Sequence, residues 1–158
     1  MRGLALFLGG VLLGSAGQTG IAPGDKVIGV NHVGITVEHF DEALRFYAQN
    51  MGFREAFTVR DDKGQPVLAY VQVSRDTFLE LQPSAPDRRP GISHVGLHVE
   101  DIRATRARLG QHGVKVEEPR VSRTNSTIAN ATGPDGVRIE LSEPGPESLQ
   151  KKAMNSWR

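Results

Sequence analysis

The sequence predicts an α+β fold in which two tandem βαβββ modules form one curved, half-barrel mixed sheet with helices on its outside. The main observation is a repeated string, since Gly29–Val37 and Gly91–Val99 share the order His-Val-Gly followed by an aliphatic residue. Self-similarity of this kind indicates a duplicated structural unit. The predicted modules cover about residues 27–83 and 91–143, and a unit of roughly 50–60 residues buries too little apolar surface to stand alone. We therefore expect the two modules to pack together as one domain, residues 27–143.

Each module is predicted to begin with a strand and a helix. Both copies of the string alternate apolar with small or polar residues, which is typical of a half-buried strand. An acidic residue then starts a helical segment that ends at glycine, from Asp41 to Gly52 and from Asp101 to Gly113. Apolar stripes at helical spacing predict the buried faces, namely Leu44, Tyr47 and Met51 in the first helix and Ile102, Thr105 and Leu109 in the second.

Three further strands follow in each module. In the first we predict Phe53–Thr58, Pro66–Val73 and Thr77–Gln82, with a hairpin turn at Asp61–Gly64. In the second we predict Val114–Glu118, Ser126–Thr132 and Val137–Glu143, with a tight turn at Gly133–Gly136. The prolines of the segment from Pro83 to Pro90 favour an exposed linker between the modules. In the tail, residues 144–158, Leu149, Ala153 and Trp157 are spaced as in a helix that lies over the domain or over a partner subunit.

Composition narrows the function classes. The chain has 158 residues, which is about one domain, and its 19 basic and 18 acidic residues nearly cancel. Such a balance provides no field that would attract nucleic acid, so we expect a small-molecule substrate or ligand and no nucleic acid partner. Cysteine is absent, which excludes disulfides, thiolate zinc sites and a cysteine nucleophile. Any metal must be held by nitrogen and oxygen ligands.

The first residues have the pattern of a secretory signal peptide. Arg2 is followed by an apolar run from Gly3 to Leu13 and then by small residues. A run of this length rises only about 15 Å as a helix, which is too short to cross a bilayer. We therefore expect residues 1–22 to be removed, with cleavage near Ala16 or Gly17. The mature protein would be exported to the periplasm or secreted and would not contact the membrane, whereas an uncleaved start would leave it in the cytoplasm.

A set of histidines and glutamates occupies equivalent positions in the two modules. His32 matches His94, and Glu80 matches Glu140. The separation between the histidine and the glutamate along the chain is nearly the same in both modules. Each glutamate stands between aliphatic residues, which point to the opposite face of a strand and must pack against the helices. The two carboxylates, and with them the two imidazoles, should therefore meet on the concave side of the sheet. Such a set suits one divalent ion of Zn, Ni, Co, Mn or Fe, although a lone strand histidine is usually only a satisfied polar residue.

Two further residues are candidate substrate contacts. His98 lies four positions beyond His94 on the same strand face, so it either points into the concave side of the sheet or lies at the edge of that concavity. Arg138 shares the strand face of Glu140 and would either steer an anionic substrate or remain a surface residue.

The repeat resembles the vicinal oxygen chelate superfamily, the group of glyoxalase I, bleomycin resistance proteins and extradiol dioxygenases. The strings that carry the resemblance are Asn31–Ile35, Phe78–Leu81, Ser93–Leu97 and Gly133–Leu141. It implies that His32, Glu80, His94 and Glu140 form the metal set of a glyoxalase I-like lyase or isomerase, usually a homodimer. A carboxylate at residue 80 favours this activity over the epimerase of the superfamily, which normally has glutamine there.

The resemblance also implies a mechanism. A divalent ion that binds neighbouring oxygens of a substrate stabilises the enediolate formed when an α-proton leaves. Glu80 or Glu140 would take that proton, and the sequence does not decide between them. Two alternatives stay open: a non-catalytic, resistance-type protein that binds a small molecule, and an iron-dependent extradiol-type dioxygenase. Export would separate the protein from the cytoplasmic thiol substrates of the best-known members.

Overall fold

The computed structural model describes residues 24–158, so the predicted signal peptide at residues 1–22 lies outside the described residues. The first module consists of β1 (Val27–Val37), α1 (Phe40–Arg45), a π-helical turn (Phe46–Asn50), β2 (Arg54–Arg60), β3 (Pro66–Ser74) and β4 (Thr77–Pro83). The second module consists of β5 (Gly91–Val99), α2 (Ile102–Gln111), β6 (Arg120–Val121), β7 (Thr127–Thr132), a 3₁₀ turn (Pro134–Gly136) and β8 (Arg138–Glu143). A last helix, α3 (Leu149–Asn155), comes after the second module. Among these helices, none combines the length and the apolar character that a bilayer crossing needs.

All eight strands form one curled mixed sheet in the order β2-β3-β4-β1-β5-β8-β7-β6. The two modules are joined at its centre, where β1 pairs antiparallel with β5. On either side of this pair the last strand of each module runs parallel to the first, β4 along β1 and β8 along β5. The predicted fold class, two tandem βαβββ modules in one half-barrel sheet, is confirmed.

The outer face of the sheet carries the apolar packing of α1 and α2. Under α1, Phe40 packs against Val71 and Leu81. Under α2, Ile102 packs against Ala129 and Leu141. The strand residues between these aliphatic side chains therefore point to the inner, concave face, as the alternation of the sequence predicts.

The first helix differs from its prediction in its second half, where Phe46–Asn50 wind as a π-helical turn. Such a turn holds more residues than an α-helical one, so it rotates the residues beyond it about the helix axis. Leu44 and Tyr47 pack against the outer-face core as predicted, but Met51 is exposed. The predicted stripe is therefore wrong at Met51.

The predicted strand Val114–Glu118 is also wrong. Its only ladder contact within residues 24–158 is an isolated bridge between Val116 and Ala131. The edge strand that pairs with β7 is instead β6, two residues long, at Arg120–Val121. Edge strands are often this short because an exposed edge invites pairing with other chains.

The tail places α3 on the inner face of the sheet, whereas α1 and α2 lie outside. Ala153 and Met154 pack against Leu68, Tyr70 and Phe78, whose neighbours along the strands face outwards. The helix ends at Asn155, so Trp157 lies beyond it and is exposed rather than part of the predicted stripe. The inner face of the first module is therefore covered by the protein's own C-terminal helix.

The central strand pair places a glycine opposite each repeated histidine. In the register of β1 and β5, Val33 faces Val95, His32 faces Gly96 and His94 faces Gly34. A Cβ atom added to Gly34 would overlap the His94 ring, and one added to Gly96 would overlap the His32 ring. In each module, the histidine of the string His-Val-Gly therefore fills the space that the glycine of the other module leaves open.

Replacement of either glycine by alanine should force the opposite imidazole out of place. Overpacking of this kind costs about 1–3 kcal/mol, so Gly34→Ala and Gly96→Ala should lower the free energy of unfolding by that amount in urea titrations. Gly29→Ala, on the same strand with open space around its Cβ position, is the matched control. We expect it to change stability by less than about 0.5 kcal/mol. Equal stability of Gly34→Ala and Gly29→Ala would contradict this packing of imidazole against glycine.

Candidate metal centre

Four side chains of the two modules meet on the inner face because of the sheet register. Gly34 lies between Glu80 on β4 and His94 on β5, so these two side chains converge above it. Gly96 lies in the same way between His32 on β1 and Glu140 on β8. Each row thus combines the histidine of one module with the glutamate of the other. The structure brings together all four residues that the sequence predicts for a metal set.

The four functional groups are close together and almost fully buried. Nε2 of His32 lies 2.8 Å from Nε2 of His94 and 3.2 Å from Oε2 of Glu80. The same nitrogen is 3.6 Å from Oε1 of Glu140, and Nε2 of His94 is 3.4 Å from Oε2 of Glu80. Their exposed fractions are 0% for His32, 4% for Glu80, 2% for His94 and 8% for Glu140. Water is therefore largely excluded, which strengthens electrostatic interactions between these groups.

Neighbouring side chains select the tautomers of the two histidines. Nδ1 of His32 donates to Oδ1 of Asn31 at 2.8 Å, which leaves a lone pair on Nε2. Nδ1 of His94 has two candidate partners, Oγ of Ser93 at 3.0 Å and Nη2 of Arg138 at 2.8 Å. Oγ of Ser93 can accept a hydrogen bond from a protonated Nδ1, which leaves the lone pair on Nε2 for a cation. The Arg138 guanidinium only donates, so its contact requires the lone pair on Nδ1 and the proton on Nε2. Ser93 and Arg138 therefore favour opposite states of His94.

The two carboxyl groups have different environments. Burial opposes ionisation of Glu80, but hydrogen bonds and charge from His32 and His94 outweigh it and hold the pKa well below its usual range. Burial also dominates at Glu140, where it raises the pKa; the charge of Glu80 adds to this and the histidines offset it only in part. Carboxyl groups with pKa values displaced in opposite directions are suited to different chemical roles.

These donors fit a divalent cation. Ligand atoms of His32, Glu80 and His94 lie within 4.8 Å of one another, close enough to grip one ion. Two imidazole nitrogens facing each other at 2.8 Å, with carboxylates beside them, form a donor set typical of Zn²⁺ and its first-row neighbours. Glu140 lies outside this group of three, although its carboxylate faces His32. Its carboxylate therefore lies beside the group of three rather than within it.

Comparison with known proteins agrees with this geometry. The profile of the Glyoxalase/Bleomycin resistance protein/Dioxygenase superfamily matches residues 29–141. The chain belongs to this superfamily. It is 32% identical to a probable lactoylglutathione lyase from Synechocystis sp., over 70% of this chain and 91% of that protein. It is 29% identical to the uncharacterized protein YaeR of Escherichia coli, over 72% of this chain and 95% of that protein.

Solved structures of the superfamily show the same fold. Methylmalonyl-CoA epimerase from Mycobacterium tuberculosis has a TM-score of 0.66 and 30% identity, with 77% of this chain and 91% of that chain covered. A hypothetical protein from Bacillus halodurans has a TM-score of 0.62 at 22% identity, with 73% and 94% covered. Members of this glyoxalase superfamily with assigned activities include a lyase and an epimerase, so isomerase or lyase chemistry is supported at the level of the family.

Two residues that sequence reasoning missed hold Glu80. The Tyr70 hydroxyl donates to Oε2 at 2.8 Å, and the Gln82 amide donates to Oε1. Tyr70 faces Glu80 directly across β3 and β4. The sequence could have indicated Gln82, since it lies two positions from Glu80 on the same strand face. No sequence feature indicated Tyr70, because its position opposite Glu80 depends on the exact register of a hairpin.

A cavity of about 280 Å³ reaches His94 and Arg138 and is also lined by Ile92, Ser93 and Val137. Arg138 itself is exposed and touches His94, so it lies beside the candidate centre. His98 lies on β5, four residues beyond His94, and is half-buried. It is next to Ser142 on β8 and near Lys151 of α3. Of the two candidate substrate contacts, Arg138 is the one the structure places next to the metal set.

The position of His98 predicts its titration. Burial lowers its pKa below the usual 6.5, Lys151 lowers it further, and Asp76 raises it. Lys151→Ala should therefore raise this pKa in an NMR titration, and Asp76→Asn should lower it. Lys152→Ala, whose ammonium pairs with Glu147, is the control and should leave it unchanged. Since the folded pKa lies below the unfolded one, the contribution of His98 to stability is complete above about pH 6.5 and is lost as the pH falls. A pKa insensitive to Lys151 would contradict the docking of α3 on the inner face.

Proposed function

We propose that the protein is a metal-dependent lyase or isomerase of the glyoxalase type that moves a proton on a small substrate with neighbouring oxygens. The observation that carries this proposal is the convergence of one imidazole and one carboxylate from each module on a buried inner face. The similarity to a probable lactoylglutathione lyase supports it. In this proposal His32, Glu80 and His94 hold the ion, and Glu140 completes the set.

Glu140 is the base in this proposal. A divalent cation in the centre would supply positive charge that stabilises negative charge on the neighbouring substrate oxygens. Glu80 is held at both oxygens by Tyr70 and Gln82, so it is fixed in place. Glu140 has a raised pKa and accepts no side-chain hydrogen bond within residues 24–158. A carboxylate that is both more basic and less restrained is the better group to take a proton and return it at a neighbouring atom.

Arg138 is the proposed contact for an anionic group of the substrate. When Nε2 of His94 serves as a ligand, Nδ1 carries the proton and Ser93 is its acceptor. A guanidinium cannot accept that proton, so Arg138 is released from His94. Its exposed head then lies at the cavity of about 280 Å³ beside the centre, where a carboxylate or phosphate would bind it in a bidentate manner. The size of the cavity favours a small substrate.

The first test of this proposal is metal content. After equilibration with Zn²⁺, Ni²⁺, Co²⁺, Mn²⁺ or anaerobic Fe²⁺ and dialysis, elemental analysis should find about one ion per chain. Glu80→Ala should reduce the bound metal strongly, because it removes one of the three closest ligands. His98→Ala, on the same inner face but outside the set, is the control and should retain the ion. A wild-type protein that stays free of every one of these metals would refute the metal-dependent function.

The second test distinguishes catalysis from binding. The metal-loaded protein should incorporate solvent deuterium at the α-carbon of an α-hydroxycarbonyl substrate, since only proton abstraction introduces the label. Glu140→Gln should lower the exchange rate by about 10²–10⁴-fold, the usual contribution of a general base, while the protein remains folded. Binding of the substrate without exchange would favour a resistance-type binding protein. Oxygen consumption with a catechol by the iron form would favour an extradiol dioxygenase.

A further inference from the structure

We propose that Tyr70 and Gln150 are positioning residues of the metal centre and that they couple the C-terminal helix α3 to the ligand Glu80. The inference rests on the proposed metal-dependent function. It concerns a chain of contacts that starts on the second module, passes through α3 and ends on the carboxylate of the first module.

The last link of the chain is the contact between Tyr70 and Glu80. The tyrosine is buried, and its hydroxyl donates to Oε2 of Glu80, the same oxygen that faces both histidines. Its ring stacks on Phe57 with centroids 4.8 Å apart and meets Phe78 edge-on at 5.7 Å. Rings packed on two sides hold the hydroxyl in place, so the carboxylate is presented to the ion in a fixed orientation.

The preceding links come from α3. Gln150 is buried, and its Oε1 accepts a hydrogen bond from Oγ of Ser126 at 2.9 Å. The serine thereby orients the amide so that its NH₂ group is directed away from Ser126. Ala153 and Met154 of the same helix pack against the Tyr70 side chain. The helix therefore connects Ser126 of the second module to Tyr70, whose hydroxyl holds Glu80.

The second module has no equivalent of this chain within residues 24–158, although the sheet is built on a repeat. Tyr70 faces Glu80 across β3 and β4, and the position that faces Glu140 across β7 and β8 is Asn130. The Asn130 amide donates to Oε2 of Glu117 at 2.9 Å instead. Glu80 is therefore anchored and Glu140 is not, so the asymmetry between the two carboxylates originates in their neighbours across the strands.

The anchoring helix lies outside the part of the chain that the superfamily profile matches. The superfamily profile matches residues 29–141, whereas α3 begins at Leu149. A hydrogen bond from the Leu149 amide to the carbonyl of Thr124, 2.9 Å long, fixes the start of the helix to the second module. At its other end the Arg54 guanidinium binds the Ser156 carbonyl at 2.9 Å. With both ends tied to the sheet, the helix holds Ala153 and Met154 against the Tyr70 ring.

Co²⁺ binding to the metal-free full-length protein tests this inference without reference to catalysis. Tyr70→Phe removes the hydroxyl but keeps the packed ring, and Gln150→Leu removes the amide at similar volume. Loss of such an outer partner lowers metal affinity by about 10–100-fold, so we expect Tyr70→Phe to bind Co²⁺ that much more weakly in competition with a chromophoric chelator. Gln150→Leu should weaken binding less, and the visible absorption of bound Co²⁺ should shift in both variants.

Tyr47→Phe is the matched control, since Tyr47 is the only other tyrosine and packs on the outer face. It should bind Co²⁺ with wild-type affinity and spectrum. Wild-type affinity and spectrum in both Tyr70→Phe and Gln150→Leu would overturn this inference alone, because the wild-type protein would still bind the ion. Equal weakening in Tyr47→Phe would also overturn it, since the effect would be general. Failure of the wild-type protein to bind Co²⁺ or any other divalent ion would refute the proposed function, and this inference with it.

Discussion

The antiparallel contact of β1 with β5 is the constraint on which the site depends. It is centred where Val33 faces Val95, and it sets each histidine over a glycine of the other module. A shift of one residue in this register would turn the imidazoles to the outer face, because side chains alternate along a strand. Aliphatic residues such as Leu81 and Leu141, packed under α1 and α2, oppose that shift. The apolar core on one face thereby determines the polar geometry on the other.

Burial of this polar group carries an electrostatic cost that a divalent cation would offset. Two carboxylates with little exposure cannot both ionise easily in one small volume, and the opposite displacements of their pKa values reflect this. A charge of +2 balances both carboxylates, and the Nε2 lone pairs of His32 and His94 then have a common partner. The arrangement is therefore expected to be more stable with the ion than without it, since ligand binding to the folded state adds to its stability.

The sequence predicts the site through its repeat and fails where a contact depends on register or on a change of helix type. His32, Glu80, His94 and Glu140 were found because duplicated strings mark equivalent positions in a symmetric sheet. Tyr70 and Gln150 have no such mark, since one depends on the hairpin register of β3 and β4 and the other on the docking of α3. The prediction that Met51 is buried is wrong because a π-helical turn rotates the residues beyond it about the helix axis. A regular helical period cannot show this feature.

In the proposed function, coverage of the inner face by α3 would also determine the direction from which a substrate arrives. The helix packs over the first module, against Leu68 and Phe78, and closes that side of the centre. On the other side the cavity beside His94 is lined by Arg138 and by the exposed side chains of Ile92 and Val137. A substrate that entered here would first meet the Arg138 guanidinium and the side chains of Ile92 and Val137. It would reach the metal ligands only after them. The anchored carboxylate, Glu80, thus belongs to the closed side, and an anionic group of the substrate would be received on the open one.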